Sequence, residues 1–260
     1  MKAKTALIFP DPHFAPKGCP AGGVDPKAES VARQAIAIVK PDIFVCLGDL
    51  IEGHSISHWK YQKVKRPPLE YQLADLEPEL KAGNDGLDKW DQELDKVGCN
   101  ARHMTWGNHD GRRLDDFLLA YPYLSDKYSA DIAFKMKARG YKTYPYGEYM
   151  KLGKLRLYHG GHVNTAHVER DHAMRLGASV MFGHYHSVGY ARVAHIDGPN
   201  AAWNMGCLCL LKKDFMQGKP VSWGHSLGIV HLESNGDFRV EVCDILDGVG
   251  YVYGHKVVAK

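Results

Sequence analysis

The sequence predicts an α/β domain, because short apolar runs alternate with an amphipathic helix in its N-terminal part. Thr5 to Phe9 is an apolar run that ends at Pro10-Asp11, as expected of a buried strand. From Pro26 to Lys40 the apolar residues recur at helical spacing, and Pro41 would stop the helix. Asp42 to Leu47 predicts a second strand. Strand, helix and strand in this order are typical of a βαβ unit.

The rest of the first half predicts a loop, helical segments and a third strand. Residues 54–68 are polar, basic and aromatic, which favours a loop. Leucines at helical spacing follow, and Gly83 to Gly86 would either divide them into two helices or bend one long helix. Pro78 fits the first turn of a second helix. Ala101 to Trp106 predicts a strand, and Leu114 to Ala120 predicts a helix.

The second half is richer in predicted strands. Gly153-Lys154 separates two apolar runs and indicates a hairpin. A helix is expected from Asn164 to Leu176, with Asn164 or Thr165 as its N-cap, and Ala178 to Phe182 predicts a buried strand. Further short strands are expected near 189–195, 201–207, 226–233 and 238–244.

Composition places the chain among ordinary globular proteins. With 260 residues, 45% hydrophobic and 24% charged, and with no linker or repeat, it predicts a single domain over 1–260. The net charge of +3 permits an anionic substrate but does not by itself indicate nucleic acid. The first apolar run is too short for a signal peptide and no later run could span a membrane, so we expect no membrane partner.

The six cysteines are scattered and contain no CxxC pair. Cys207-Leu208-Cys209 has a spacing that is only a weak metal signal, and its neighbours are apolar. We therefore expect reduced thiols in a cytoplasmic protein.

His184 and His186 raise the question of a metal site. Side chains at i and i+2 of an extended chain point to the same side, so both imidazoles could face one point beyond the strand at 178–182. The alternative is a pair of surface histidines. Other predicted strands also end in residues of metal-ligand type, namely Asp11, His13, Asp49, Asn108, His109 and His159. Carboxylate and imidazole donors suit Mn²⁺, Fe or Zn²⁺, and their number suffices for two ions that share a carboxylate.

These residues lie in five short motifs. The chain reads D-P-H at 11–13, G-D-L-I-E-G at 48–53, G-N-H-D at 107–110, H-G at 159–160 and G-H-Y-H at 183–186. In this order they resemble the calcineurin-like metallophosphoesterase superfamily, and the chain looks like its small stand-alone members from tailed phages and bacteria. The resemblance implies two mixed β-sheets packed as a sandwich with flanking helices, in four α/β/β/α layers. If a phage encodes the protein, we expect the cytoplasmic location to be the host cytoplasm.

The resemblance also implies a ligand set for two divalent metals, with Mn²⁺ expected first and Fe or Zn²⁺ as alternatives. The first metal would bind Asp11, His13, Asp49 and His186, and the second Asp49, Asn108, His159 and His184. His162 is an alternative to His159. Two metals about 3.5–4 Å apart can activate a bridging hydroxide for attack on phosphorus and can stabilise the leaving oxygen.

Three further residues receive roles through the same resemblance. His109 would donate to the phosphoryl group or to the leaving oxygen, and Glu52 would orient His109 and keep it protonated. Arg112 would grip phosphate oxygens, although a solvated arginine at a helix start fits the pattern equally well.

Residues 54–100 form an insert that we expect to cover the site. Its first part carries cations and aromatic rings that resemble a polyanion-binding strip: Trp59, Lys60, Tyr61, Lys63, Lys65 and Arg66. A solvated loop with two buried aromatic rings is the alternative.

Three functions remain open from the sequence. The favoured one is a phosphodiesterase or nuclease, and the phosphoester substrate would be a nucleic acid or nucleotide. The second is a phosphomonoesterase for a nucleotide or a phosphoprotein. The third is a non-catalytic metal-binding protein.

Overall fold

The computed structural model describes residues 3–213 and 216–260. The strands are β1 (Lys4–Phe9), β2 (Ile43–Cys46), β3 (Ala101–Thr105), β4 (Tyr141–Tyr144), β5 (Met150–Leu152), β6 (Leu155–Tyr158), β7 (Val180–Phe182), β8 (Val188–Val193), β9 (Asn200–Met205), β10 (His225–Leu232), β11 (Phe238–Leu246), β12 (Val249–Val252) and β13 (His255–Val258). The α-helices are α1 (Pro26–Val39), α2 (Leu69–Lys96), α3 (Arg113–Ala120), α4 (Ser125–Tyr128), α5 (Ala130–Ala133) and α6 (Val168–Leu176).

The strands form two mixed sheets. The larger has eight strands in the order β13-β12-β11-β10-β1-β2-β3-β4, in which β1 to β4 run parallel and the others run antiparallel. The smaller has five strands in the order β5-β6-β7-β9-β8, with β6, β7 and β9 parallel. Parallel strands end at a common edge, so the loops after them are brought together.

The sheets pack face to face with helices on both outer sides. Between the sheets lies an apolar layer that includes Ile8, Val45 and Leu157. On the other face of the larger sheet, α1, α2 and α3 cover a second core built around Phe44 and Trp90. Helix α6 covers the outer face of the smaller sheet. The predicted four-layer α/β/β/α fold is confirmed.

Two predicted boundaries were wrong. The leucine-rich segment forms one continuous helix, α2, and Pro78 lies inside it instead of opening a second helix. The helix predicted from Asn164 begins only at Val168, after His167, and no side chain caps it. No helix in the described part of the chain is long and apolar enough to cross a membrane.

The glycines of α2 permit close packing and do not break the helix. A Cβ at Gly83 would lie 2.6 Å from Ile51 Cγ2, and a Cβ at Gly86 would overlap the ring of Phe14. Phe14 follows His13, and Ile51 lies two residues past Asp49. The helix therefore supports the two loops that carry predicted metal ligands.

Candidate metal centre

The predicted ligands follow parallel strands at one edge of each sheet. In the larger sheet, Asp11 follows β1, Asp49 follows β2 and Asn108 follows β3. In the smaller sheet, His159 follows β6 and His184 follows β7. The contacts between these groups, described below, show that the two edges meet at one site.

The backbone at this site is held in an unusual conformation. Five predicted ligands have a positive φ: Asp11 (28°), His13 (49°), Asp49 (48°), His184 (72°) and His186 (60°). Residues with a Cβ rarely adopt such angles, which cost on the order of 1–3 kcal/mol each and concentrate at functional sites. These turns bring Asp11 and His13 into one cluster and divide His184 and His186 between two neighbouring clusters.

Asp11, His13, Asp49 and His186 form the first cluster. All four are buried, and one donor atom from each lies within 4.8 Å of the others. His13 Nε2 is 3.5 Å from Asp49 Oδ2 and 3.1 Å from His186 Nε2. His186 Nε2 is 3.3 Å from Asp11 Oδ2. The structure thus brings together the four residues predicted for the first metal.

Asp49, Asn108, His159 and His184 form the second cluster. Asn108 Oδ1 is 2.9 Å from His159 Nε2 and 2.8 Å from His184 Nδ1. His159 Nε2 is 3.4 Å from Asp49 Oδ2. Asp49 belongs to both clusters, which is the placement expected of a shared carboxylate.

Two motif glycines leave room for the carboxylates. A Cβ at Gly107 would overlap the carboxylate of Asp49, and a Cβ at Gly183 would overlap that of Asp11. The backbone N–H of His109 donates to Asp49 Oδ1 at 2.8 Å, and that of His184 donates to Asp11 Oδ2 at 2.6 Å. Glycine at these positions therefore lets the carboxylates reach neighbouring backbone amides.

The donor set fits divalent cations. His159 Nδ1 donates to the carbonyl of Leu47 at 2.8 Å, which leaves the Nε2 lone pair facing the cluster. His13 Nδ1 lies 3.1 Å from Glu52 Oε2, and His186 Nδ1 lies 3.7 Å from the sulfur of Cys209, so both rings also present Nε2 inward. The second carboxylate oxygen of Asp11, Oδ1, is buried without a hydrogen-bond partner.

Electrostatics at the shared carboxylate favour its ionised form. Burial acts to raise the pKa of Asp49, but the imidazoles of His159 and His109 bring it well below its usual value. For Asp11, burial outweighs the neighbouring imidazoles and raises the pKa. The converging nitrogen and oxygen donors, with an ionised carboxylate between them, form a site suited to a divalent cation.

His109 lies beside the clusters. Its Nε2 is 3.9 Å from Asp49 Oδ2, and burial lowers its pKa to about 3. Its Nδ1 donates to the backbone carbonyl of Glu52 at 2.6 Å, while the Glu52 carboxylate is 3.5 Å away. Arg113 packs against the same imidazole, with Nη2 at 3.1 Å from Nε2.

Arg113, and not Arg112, lines the cavity over both clusters. Arg113 Nη1 donates to the carbonyl of Glu52 at 2.7 Å. The side chain of Arg112 is 64% exposed, with Nε 3.8 Å from Asp116 Oδ2. Arg112 lies near the Tyr146 hydroxyl, and the Tyr146 ring lies near His159. The helical turn at Asn108–Arg112 and helix α3 thus direct Arg113 into the cavity, one residue later than the predicted Arg112.

A buried lysine was missed. Lys213 Nζ donates to Glu52 Oε2 at 2.9 Å, and both side chains are almost fully buried. Burial acts to lower the pKa of Lys213, but Cys209 and Glu52 raise it above its usual value. Glu52 therefore lies between His13, His109 and Lys213. Lys213 belongs to no sequence motif, so only its burial among polar groups could reveal it.

The segment around Lys213 supplies a second wall of the site. The rings of Trp223 and His186 meet edge to face, with centroids 4.2 Å apart. Cys209 reaches the same imidazole, so the CxC spacing marks a residue adjacent to the site. Thus the chain beyond His186, to which the sequence assigned no function, contributes three residues to the site.

The remaining motif residue, Asp110, holds two loops together. Its carboxylate accepts hydrogen bonds from the backbone of Gly107, at 2.7 Å, and of Leu50. Burial and the nearby Asp49 raise its pKa to about 7. The alternative ligand His162 lies apart from the clusters, where its Nδ1 contacts the Tyr149 hydroxyl at 2.7 Å.

A cavity of about 600 Å³ opens above the two clusters. Its floor includes predicted ligands and its walls include the cations Lys60, Arg113 and Lys213 and the rings of Trp59 and Trp223. This combination of buried metal-ligand types, cations and aromatic rings can hold a phosphoester that carries an organic group.

The family model described as calcineurin-like phosphoesterase matches residues 4–258. The chain belongs to the calcineurin-like phosphoesterase family. As a member of this family it is a metal-dependent phosphoester hydrolase, and not the non-catalytic metal-binding protein that the sequence left open. The family binds two divalent metals, in agreement with the two clusters.

Similar solved structures cover almost the whole length of this calcineurin-like phosphoesterase. YfcE, a phosphoesterase from E. coli, is 16% identical, with 98% of this chain and 100% of that chain covered and a TM-score of 0.40. Vps29 of Chaetomium thermophilum is 10% identical, with 99% and 100% covered and a TM-score of 0.41. No curated protein matches the sequence.

Proposed function

We propose that this hydrolase is a phosphodiesterase, and specifically a nuclease for short or single-stranded nucleic acid. The observation that supports the proposal is the wall formed by the insert after the second motif. Trp59 and Lys60 of this insert line the cavity directly above the clusters. A cation paired with an exposed aromatic ring is the surface that proteins present to a phosphate and its neighbouring base.

We assign Asp11, His13, Asp49 and His186 to one metal and Asp49, Asn108, His159 and His184 to the other. When bound, two divalent cations activate water and neutralise charge on phosphoryl oxygens. Mixed carboxylate and imidazole donors favour Mn²⁺, with Fe and Zn²⁺ as the next candidates.

The chain's own residues position the substrate. His109 donates its Nδ1–H to the Glu52 carbonyl, and its Nε2 accepts from Arg113, so the neutral ring does not stay protonated as the sequence led us to expect. Its Nε2 faces the substrate and would have to take up a proton before it could donate to the leaving oxygen. Arg113 lies next to that Nε2 and would take the phosphate-gripping role that the sequence gave to Arg112. Glu52 and Lys213 form a buried ion pair. Glu52 also contacts His13 Nδ1, so the pair helps to orient that imidazole.

The experiment that tests this proposal compares bis(4-nitrophenyl) phosphate, 4-nitrophenyl phosphate and a single-stranded oligonucleotide. Each is assayed with Mn²⁺, Zn²⁺, Fe²⁺ and Mg²⁺, and Asp49→Ala serves as the inactive control. We expect the diesters to be cleaved with a higher kcat/KM than the monoester, and Mn²⁺ to give the highest rate. A preference for the monoester would instead support a phosphomonoesterase.

A phosphomonoesterase is the second candidate because Arg113 and Lys213 place two cations in the cavity. A monoester dianion has one more negative charge than a diester, so it gains more electrostatic stabilisation from these two cations. Changing Lys63, Lys65 and Arg66 to Glu distinguishes the two functions. Nuclease activity falls if the insert binds the polyanion, whereas the monoesterase rate stays the same.

We also propose a cytoplasmic location. All six cysteines are free thiols, as expected of a protein in a reducing compartment. Fractionation of cells that express the protein, with detection in the cytoplasmic or the exported fraction, tests this assignment.

A further inference from the structure

A second cavity of about 460 Å³ adjoins the one above the clusters. Trp59, Asn108 and Arg113 line both cavities. Because Asn108 is a predicted metal ligand, the second cavity begins where the scissile group would be held. A molecule longer than one phosphoester would extend from the first cavity into the second.

The second cavity is positively charged. Arg66, Arg112 and Arg113 line it, and Asp116 is the acidic residue among its lining groups. The Asp116 carboxylate is 3.8 Å from Arg112 Nε, and both side chains are about two-thirds exposed, so the pair is weak. Guanidinium groups bind phosphate oxygens through two parallel N–H donors, and the surplus of positive charge suits one phosphate.

Trp59 lines both cavities and is 70% exposed. An exposed indole ring at this position can contact a group that passes from one cavity to the other. Base stacking on such a ring is independent of sequence because every base has a π-face.

The segment that carries Trp59 and Arg66 is anchored to the core. The Tyr61 hydroxyl donates to the carbonyl of Ser55 at 2.9 Å, and the Ser55 N–H donates to Glu79 of α2 at 2.8 Å. Arg66 lies over the Tyr61 ring, with the guanidinium carbon 5.2 Å from the ring centroid. These contacts connect the segment that carries Trp59 and Arg66 to helix α2.

We propose that the second cavity binds the phosphate next to the scissile one in a single-stranded nucleic acid, with the base between them stacked on Trp59. This inference rests on the proposed nuclease function and adds a site that selects single strands. In a duplex the bases are stacked on each other, so their faces cannot reach Trp59 without unpairing.

Binding to the metal-free protein tests the site without catalysis. Fluorescence anisotropy of a labelled oligothymidylate, measured in EDTA, gives the affinity of the wild type, Arg66→Glu, Trp59→Ala and Trp59→Phe. Arg239→Glu is the matched charge control. Arg239 lies opposite His231 in the sheet, and His231 lies opposite Thr5, at the end of β1 away from the metal ligands.

We expect Arg66→Glu to weaken binding about tenfold at low salt and to reduce the slope of log affinity against log salt by about 0.7. Trp59→Ala weakens binding about fivefold or more, and Trp59→Phe restores most of it because a ring is retained. Arg239→Glu has the wild-type affinity. Unchanged affinity in both Arg66→Glu and Trp59→Ala, or equal affinity for a duplex, overturns the inference.

Turnover separates this inference from the proposed function. The ratio of kcat/KM for the oligonucleotide to that for bis(4-nitrophenyl) phosphate should fall about tenfold in Arg66→Glu, through KM. If the ratio is unchanged while diesters are cleaved, the second cavity is not a phosphate site and the diesterase function stands. If no diester is cleaved, the proposed function fails, and the anisotropy series still decides what the second cavity binds.

Discussion

Replacing Lys213 by methionine should cost much more stability than breaking a surface ion pair of similar geometry. Lys213 and Glu52 are 2.9 Å apart and their side chains are only 2% and 6% exposed. Methionine keeps most of the length of lysine but removes the charge, so Glu52 would lose its nearest cation. Arg113 stays close to Glu52 through the backbone carbonyl.

The magnitude follows from the burial of the pair. Removing one partner of a buried ion pair costs about 3–5 kcal/mol, because the other charge remains desolvated. The remaining Arg113 places the expected loss near the lower limit, at about 3 kcal/mol. Adding Glu52→Gln removes the stranded charge, so the double variant should recover about 1 kcal/mol or more relative to Lys213→Met.

Urea unfolding in EDTA, followed by circular dichroism, measures these differences in the free energy of unfolding. Lys154→Met is the matched control, since Lys154 Nζ is 2.6 Å from Asp237 but the two side chains are 65% and 54% exposed. That control should lose little stability, because water already solvates both charges. Equal losses in Lys213→Met and Lys154→Met, or a double variant no more stable than Lys213→Met, would refute the reasoning.

Three other variants test separate parts of the structure. Gly86→Ala should destabilise the protein by about 1–3 kcal/mol, although alanine favours helices, because its Cβ overlaps Phe14; Lys89→Ala on the exposed face of α2 is the control in the same urea assay. Asp49→Ala should abolish tight binding of both equivalents of Mn²⁺ in calorimetric titration, since Asp49 belongs to both clusters; retention of one tight site would contradict a shared ligand. Burial raises the pKa of Glu79, so the wild type should lose stability as the pH rises from about 4.5 through the higher folded-state pKa. Glu79→Gln should lose less stability than the wild type over the same pH range, because the raised pKa values of Asp11 and Asp110 contribute to the loss in both proteins. Equal losses in the two proteins would argue against a raised pKa at Glu79.

Most of the elements that carry the site were readable from the sequence, because apolar runs and helical spacing report directly on burial, whereas β4, β12 and β13 were not predicted. The start of α6 was not, since Asn164 looks like an N-cap but the helix begins at Val168. Pro78 also misled, because a proline in α2 is tolerated where tertiary packing on Phe14 and Ile51 holds the helix. Local signals predict an element, whereas its ends depend on contacts made far along the chain.

The candidate site shows the same limit. The predicted ligands converge because each motif combines a strand end with a tight turn, and both features are local. Lys213, Cys209 and Trp223 lie in the sequence between β9 and β10 and reach the site through contacts that no local pattern encodes. Arg113 was missed because the sequence does not show which of two neighbouring arginines points into the cavity. That depends on the geometry of the helical turn at Asn108–Arg112.

Because the first cluster draws Asp11, His13 and Asp49 from one sheet and His186 from the other, a cation bound there would tie the two layers together. Removal of the metal by a chelator should then weaken the packing between the two sheets as well as stop turnover. Faster amide hydrogen exchange along β1 and β7 would report this change. The supply of metal would then help to determine how long the folded protein persists.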